Sequence, residues 1–133
     1  LFRRQRQMCI RDRYNIDTFL GGPMDITKGF VLHSNDFFED GTKSITSDIS
    51  LSTNTNVLEK FSNQETPSHK MVLFGYAGWS AGQLEQEIAN NDWLIAGATK
   101  DFIFDCDSNE KWNKSITNLG INLAYLSASG GEA

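Results

Sequence analysis

The sequence predicts an α/β domain: a mixed β-sheet packed with about three helices. Three observations carry that expectation. His69-Lys-Met-Val-Leu-Phe-Gly-Tyr76 is a continuous apolar run suited to the interior of a sheet. Ser80–Ala89 and Asp107–Leu119 instead space their apolar residues at helical intervals behind polar openings. Glycine- and asparagine-bearing turns separate the two kinds of segment, so helices interleave with strands and cover them.

Taken in order, Thr18-Phe-Leu reads as a short strand entering the turn Gly21-Gly22-Pro23, where glycine supplies backbone freedom and proline fixes the exit. Gly29–His33 is a second strand, and Asp40-Gly41 is a turn signal. Thr42–Thr46 and Asp48–Ser52 are two further strands, with Ile45, Ile49 and Leu51 as their inward positions. Thr53 is placed to cap a helix bearing Val57, Leu58 and Phe61 on one face, closed by the polar loop Ser62–Ser68. Ser80-x-x-Gln83 has a capping-box pattern, with Leu84 and Ile88 on one helical face and Asn90-Asn91 at the close. Trp93–Ala96 reads as another buried strand, and Asp101–Phe104 adds a shorter apolar piece. Asp107-x-x-Glu110 opens a helix with Trp112, Ile116 and Leu119 on one side and Gly120 as its terminator. Asn122–Ser127 suggests a last helical turn.

Charge divides the chain unevenly. All five arginines lie within residues 1–13, a head of net +4; from Tyr14 onward seven lysines meet sixteen acids, a body of −9. A basic arm could grip nucleic acid. However, Gln7-Met-Cys-Ile-Arg-Asp-Arg13 can be encoded as CAG ATG TGT ATA AGA GAC AGN, which resembles a transposon-end sequencing adapter read in frame. Residues 1–13 are therefore expected to be foreign to the fold, and residues 14–133 to form a partial single domain. The acidic body argues against direct nucleic-acid binding. No run of about 18 apolar residues predicts a membrane helix, and no secretory signal opens the chain. Cys9 and Cys106 make neither a disulfide framework nor a zinc spacing, so a reducing cytoplasm is the expected compartment.

Gly75-Tyr-Ala-Gly-Trp-Ser-Ala-Gly82 joins the best strand to a helix. Gly78-Trp79-Ser80-Ala81-Gly82 matches G-x-S-x-G, the elbow that exposes a hydrolase nucleophile. The mechanism needs a histidine base, which in that fold follows the serine; His33 and His69 both precede it. Ser80 is therefore read as a helix cap. The glycine spacing is neither a dinucleotide fingerprint nor a Walker A motif, and no cofactor is expected. Asp101, Asp105 and Asp107 lack the EF-hand pattern and read as a solvated acidic loop, with no metal. Cys106 has no basic neighbour in sequence to activate it. The surface favoured for a ligand combines Gly21, Gly22, Pro23 and His33 with Gly78, Trp79, Ser80 and Gly82.

These segments together resemble the YqgE/AlgH family of bacterial proteins. The resemblance rests on Phe19-Leu-Gly-Gly-Pro-Met24, Gly29-Phe-Val-Leu-His33, Ile49-Ser-Leu-Ser-Thr53 with Val57-Leu58, and Phe74-Gly-Tyr-Ala-Gly-Trp79 with Gly82-Gln-Leu-Glu85. Asn91-Asp-Trp-Leu94, Phe104, Trp112 and Leu119-Gly-Ile121 complete it. It implies a cytosolic α/β protein with a transcriptional-regulator label and no established reaction. It also implies amino-terminal strands that this chain lacks, which would leave an open sheet edge and uncovered apolar surface. The chain ends Gly130-Gly-Glu-Ala133 where many members end Gly-His-Ala, so no role of that histidine carries over. The expected function is non-enzymatic regulation through a protein or small-molecule partner. A small hydrolase or nucleotide-handling enzyme built on the Gly75–Gly82 turn is the alternative.

Overall fold

A computed structural model describes residues 16–61 and 67–120. The head at 1–13, the helical turn expected at Asn122–Ser127 and most of the 62–68 loop lie outside the described residues. The chain divides into two compact units, Leu1–Ser80 and Ala81–Ala133.

The first unit holds a five-stranded mixed sheet. Its strands are β1 (Thr18–Leu20), β2 (Met24–Ser34), β3 (Thr42–Ser44), β4 (Ile49–Ser52) and β5 (Lys70–Tyr76), in spatial order β1-β5-β2-β4-β3. β1 runs parallel to β5, and the other neighbours are antiparallel. The apolar run at 70–76 is thus an interior strand, hydrogen-bonded on both sides. β2 is eleven residues long and starts earlier than Gly29–His33 suggests, because a register shift between Met24 and Gly29 lets the strand bend and still pair with Tyr76.

Alternation places Val31 and Val72 opposite one another, with Gly29 beside Phe74 on the same face. Against this face lies the short helix α1 (Val57–Phe61), whose Val57, Leu58 and Phe61 are all buried. With Ile16 these residues form one apolar cluster, and Phe37 packs on its side. Each fully buried aliphatic or aromatic side chain here is worth about 1.5–3 kcal/mol over its exposed state. Thr53 does not open α1. The Asn54 side-chain oxygen accepts the Asn56 N–H at 2.9 Å, and its carbonyl accepts from Val57 at 3.4 Å. Helix formation starts one residue later than the sequence reading because asparagine supplies both contacts.

The second unit carries α2 (Gln83–Ala89), α3 (Lys100–Asp105) and α4 (Ser108–Asn118). The strand expected at Trp93–Ala96 is absent from it, and the shorter apolar piece takes helical form. Asp101–Phe104 is helical: the Thr99 hydroxyl accepts the Phe102 N–H at 3.2 Å, and the Thr99 carbonyl accepts from Ile103 at 3.1 Å. An N-cap threonine here overrides four apolar-rich residues. Trp93–Ala96 has no regular structure, and Trp93, Leu94 and Ile95 are exposed rather than buried. Apolar content alone makes no strand without a ladder partner, and the five described strands all come from residues 18–76. The opening of α4 is as expected, with the Asp107 carboxylate accepting the Asn109 N–H at 3.0 Å, and Gly120 follows it at φ 74°. Ile116 is buried, whereas Trp112 and Leu119 are exposed. Among the described residues no helix is long and apolar enough to cross a membrane.

Candidate functional site

The Gly21-Gly22-Pro23 turn and the Gly75–Gly78 segment meet backbone to backbone. The Gly21 N–H donates to the Phe74 carbonyl at 2.7 Å, and Met24 pairs with Tyr76. A methyl group on Gly21 would stand 2.5 Å from the Gly75 carbonyl oxygen, and one on Gly22 would overlap the Tyr76 carbonyl group. Gly75 faces the Gly22 carbonyl equally closely and adopts φ 80°, a backbone state that side-chain-bearing residues rarely take. These glycines are therefore required by contact, and the seam they form brings the ends of β1, β2 and β5 together.

Gly75 also redirects the chain. In an uninterrupted strand Phe74 and Tyr76 would share a face. Phe74 lies in the apolar cluster, yet Tyr76 packs edge-on against Phe30, at 6.0 Å and 81°, and Phe30 pairs with Leu73 on the opposite face. Lys28 places its ammonium 5.5 Å from the Phe30 ring centre and 6.0 Å from that of Tyr76. Leu20, Met24, Tyr76 and Trp79 are all exposed around the seam. Met24 Sδ lies 3.7 Å from where a Gly78 side chain would begin. The expected surface of Gly21, Gly22, Pro23, Gly78 and Trp79 is thus assembled within the first unit, with Leu20, Met24 and Tyr76 added to it. Ser80 is exposed at the end of that unit; Gly82 belongs to the second.

Ser80 does not cap α2. The helix begins at Gln83, its N-cap position is taken by Gly82 at φ 80°, and no side chain caps it. The serine sits two residues before that position.

His33 stands apart from this surface, fully buried on the core face. Its Nδ1 lies 2.8 Å from the Ser34 carbonyl, which can only accept, so Nδ1 carries the proton. Nε2 then accepts from the Ser52 hydroxyl at 2.9 Å, and Ser52 accepts in turn from the Thr42 hydroxyl at 3.0 Å. Thr42 receives the Glu39 N–H at 3.4 Å. With the ring neutral the hydrogen bonds all run one way, and both ring nitrogens are engaged. Phe37 and Phe61 meet the imidazole edge-on, each at 5.8 Å. The Ser52–His33 pair has the spacing of a nucleophile and its base, but both residues are buried, and the arrangement pins β2, β3 and β4 together. Sequence reasoning found the histidine and missed Ser52 and Thr42: it took Ile45, Ile49 and Leu51 as inward, whereas the register sets Ser50 and Ser52 opposite His33 and Val31 on the core face and leaves Ile45 exposed.

A second polar knot ties the end of β2 to the entry of β5. Asp36 accepts from the Ser34 hydroxyl at 2.5 Å and from the Ser68 N–H at 2.8 Å. Burial pushes the Asp36 carboxyl up, but the hydrogen bonds from Ser34 and Ser68 outweigh it and hold it below its ordinary value. Asn35 donates to the carbonyls of Thr46 and Ser47 and accepts from Ser50, fixing the loop before β4.

A family profile described as AlgH-like matches residues 3–124. A UPF0301 protein of Mesorhizobium japonicum is 41% identical over 113 residues, which is 85% of this chain and 56% of that protein. A UPF0301 protein of Bartonella tribocorum is 42% identical over the same length, covering 58% of its own chain. The solution structure of the AlgH protein from Pseudomonas aeruginosa matches with a TM-score of 0.68 at 36% identity, over 89% of this chain and 62% of that one. The chain spans somewhat more than half the length of these relatives. It belongs to the AlgH-like family.

Proposed function

We propose that this AlgH-like protein acts by binding, in a non-enzymatic regulatory role in the cytoplasm, through a protein or small-molecule partner at the glycine seam. The observation that carries the reading is the seam itself: three glycines, held by contact and backbone conformation, set Leu20, Met24, Tyr76 and Trp79 exposed around one junction. Exposed aromatic and methionine side chains on a rigid backbone lose little entropy when they bind, and they are the residue types interfaces favour. His33 is fully buried and its Nε2 is taken by the equally buried Ser52, so it offers no base to Ser80, which supports binding over serine chemistry at the turn. The net charge of −9 over residues 14–133, without arginine, favours such a partner over direct contact with DNA.

The test is a small-molecule screen by thermal shift, followed by mapping of each hit in amide NMR spectra. Saturable shifts clustered on residues 20–24 and 75–79, lost in Trp79→Ala, are expected. Hits that map elsewhere would overturn the site, and turnover abolished by Ser80→Ala would overturn the non-enzymatic reading. DNA binding at low salt that weakens steeply as salt rises would replace the partner with nucleic acid.

A further inference from the structure

We propose that Lys28, Phe30 and Tyr76 form an anion subsite of the glycine seam, for a small molecule that joins a carboxylate or phosphate to an apolar body. The inference rests on the seam being the binding surface and names the chemistry it selects. Two backbone distortions face each other there. On β5, Gly75 at φ 80° turns Tyr76 onto the face that carries Phe30. On β2, the pairs Met24–Tyr76 and Gly29–Phe74 leave residues 25–28 opposite Gly75 alone. Asp25 takes φ 42°, which side-chain-bearing residues rarely adopt, and the Thr27 hydroxyl donates to its carboxylate at 3.0 Å. Strained backbone of this kind gathers at ligand sites, where the surrounding structure holds it for the geometry it gives. Both distortions serve one cluster. The Lys28 ammonium stands 5.5 Å from the Phe30 ring centre and 6.0 Å from that of Tyr76, and the two rings meet edge-on.

The charge on Lys28 selects the occupant. From Tyr14 onward sixteen acids meet seven lysines, yet Lys28 forms no ion pair among the described residues. Asp25, the carboxylate nearest to it along the chain, is engaged by Thr27 instead. Ring faces attract a cation without neutralising it, so the ammonium keeps its charge and its donors for a bound oxyanion. The Tyr76 hydroxyl, which makes no hydrogen bond among the described residues, adds a donor to the same cluster. Met24 pairs with Tyr76 and sets its thioether 3.7 Å from where a Gly78 side chain would begin, an apolar wall for the rest of the ligand. A polyanion such as nucleic acid is disfavoured by the body of −9, whereas a single oxyanion suits a single lysine.

The test titrates the full chain with 2-naphthoate, 2-naphthyl phosphate, neutral 2-naphthamide and inorganic phosphate, followed in amide NMR spectra. Saturable shifts at residues 24–30 and 75–78 are expected from a naphthyl anion, and the tighter of the two identifies the oxyanion. Naphthamide and inorganic phosphate should each bind about tenfold more weakly or less. Lys28→Gln should weaken the naphthyl anion about tenfold, the worth of one charge-assisted hydrogen bond, while naphthamide binding and the thermal melt stay unchanged. Lys28→Arg should retain most of the affinity. Naphthamide binding as tightly as the anions at these residues, or anion binding unaltered in Lys28→Gln, would overturn the subsite and leave the seam standing. Inorganic phosphate binding as tightly as the naphthyl anions would mean an adventitious ion only, and would overturn it too. Shifts confined to other residues would overturn the subsite and the seam together. No shift from any of the four probes would remove the subsite, while the seam stands or falls by its own screen and Trp79→Ala.

Discussion

The two units spend their apolar residues in opposite ways. Nine of the ten buried hydrophobics among the described residues lie between Ile16 and Phe74, and the second unit contributes Ile116 alone. The first unit also encloses its polar groups in directed chains, such as Thr42–Ser52–His33, and fixes its turns by glycine contact. The second holds its helices by local caps at Thr99 and Asp107 and leaves both of its tryptophans largely in water. The first region is organised for stability with a rigid rim, the second for surface. A close-packed core makes substitution costly, while an exposed side chain can be exchanged almost freely.

That contrast can be broken at several points, taken from the largest effect down. Phe74→Ala should destabilise by about 3–5 kcal/mol, since it removes a fully buried ring from the centre of the cluster. Trp112→Ala in the second unit should stay within about 0.5 kcal/mol; denaturant melts of the two variants side by side decide whether the asymmetry is real. Gly22→Val should disrupt the rim outright, because its side chain would overlap the Tyr76 backbone, and amide spectra should lose the native pattern at residues 20–24 and 74–78 together. Next comes His33→Leu, which leaves the Ser52 hydroxyl and the Ser34 carbonyl without their buried partner and should cost about 1–3 kcal/mol. His33→Gln, able to offer both a donor and an acceptor, should recover part of that loss.

A smaller effect sharpens the comparison through pH. The folded Asp36 carboxyl lies below its ordinary value, so between the folded and unfolded values the unfolded chain binds more protons. Its contribution to stability is present above the unfolded carboxylate value and is lost as pH falls through the folded one. Asp36→Asn should therefore lower stability near neutral pH and flatten the acid limb of the stability curve; an identical acid limb in both proteins would show that the knot at Ser34 and Ser68 contributes nothing. Smallest of all is Lys114→Ala. The hydrogen bond to Glu110 holds the Lys114 amine above its ordinary value, but the pair is fully solvated on α4, and no measurable change in the melt is expected.

What the sequence revealed follows the same division. Residues 71–74 form a continuous apolar strand-forming run, and the glycines at 21, 22 and 75 sit at strand ends where close approach or a left-handed turn requires them; the sheet and the seam were both legible for that reason. The second unit was harder to read because its short apolar stretches have no intrinsic period. Trp93–Ala96 and Asp101–Phe104 are both short and apolar-rich, and the Thr99 hydroxyl caps the second as a helix while the first finds no ladder. The role of His33 was half visible, since its partners Ser52 and Thr42 lie nineteen and nine residues away and come together only through strand register.

The most direct test of the division is native-state amide hydrogen exchange on the intact chain, read residue by residue. The account predicts that Val31, Val72 and Phe74 exchange only through global unfolding, while Leu94 and Ile95 exchange at nearly unprotected rates. Protection at 94–95 equal to that of β5 would mean that this segment is held as firmly as the sheet, and the contrast between the two units would be wrong.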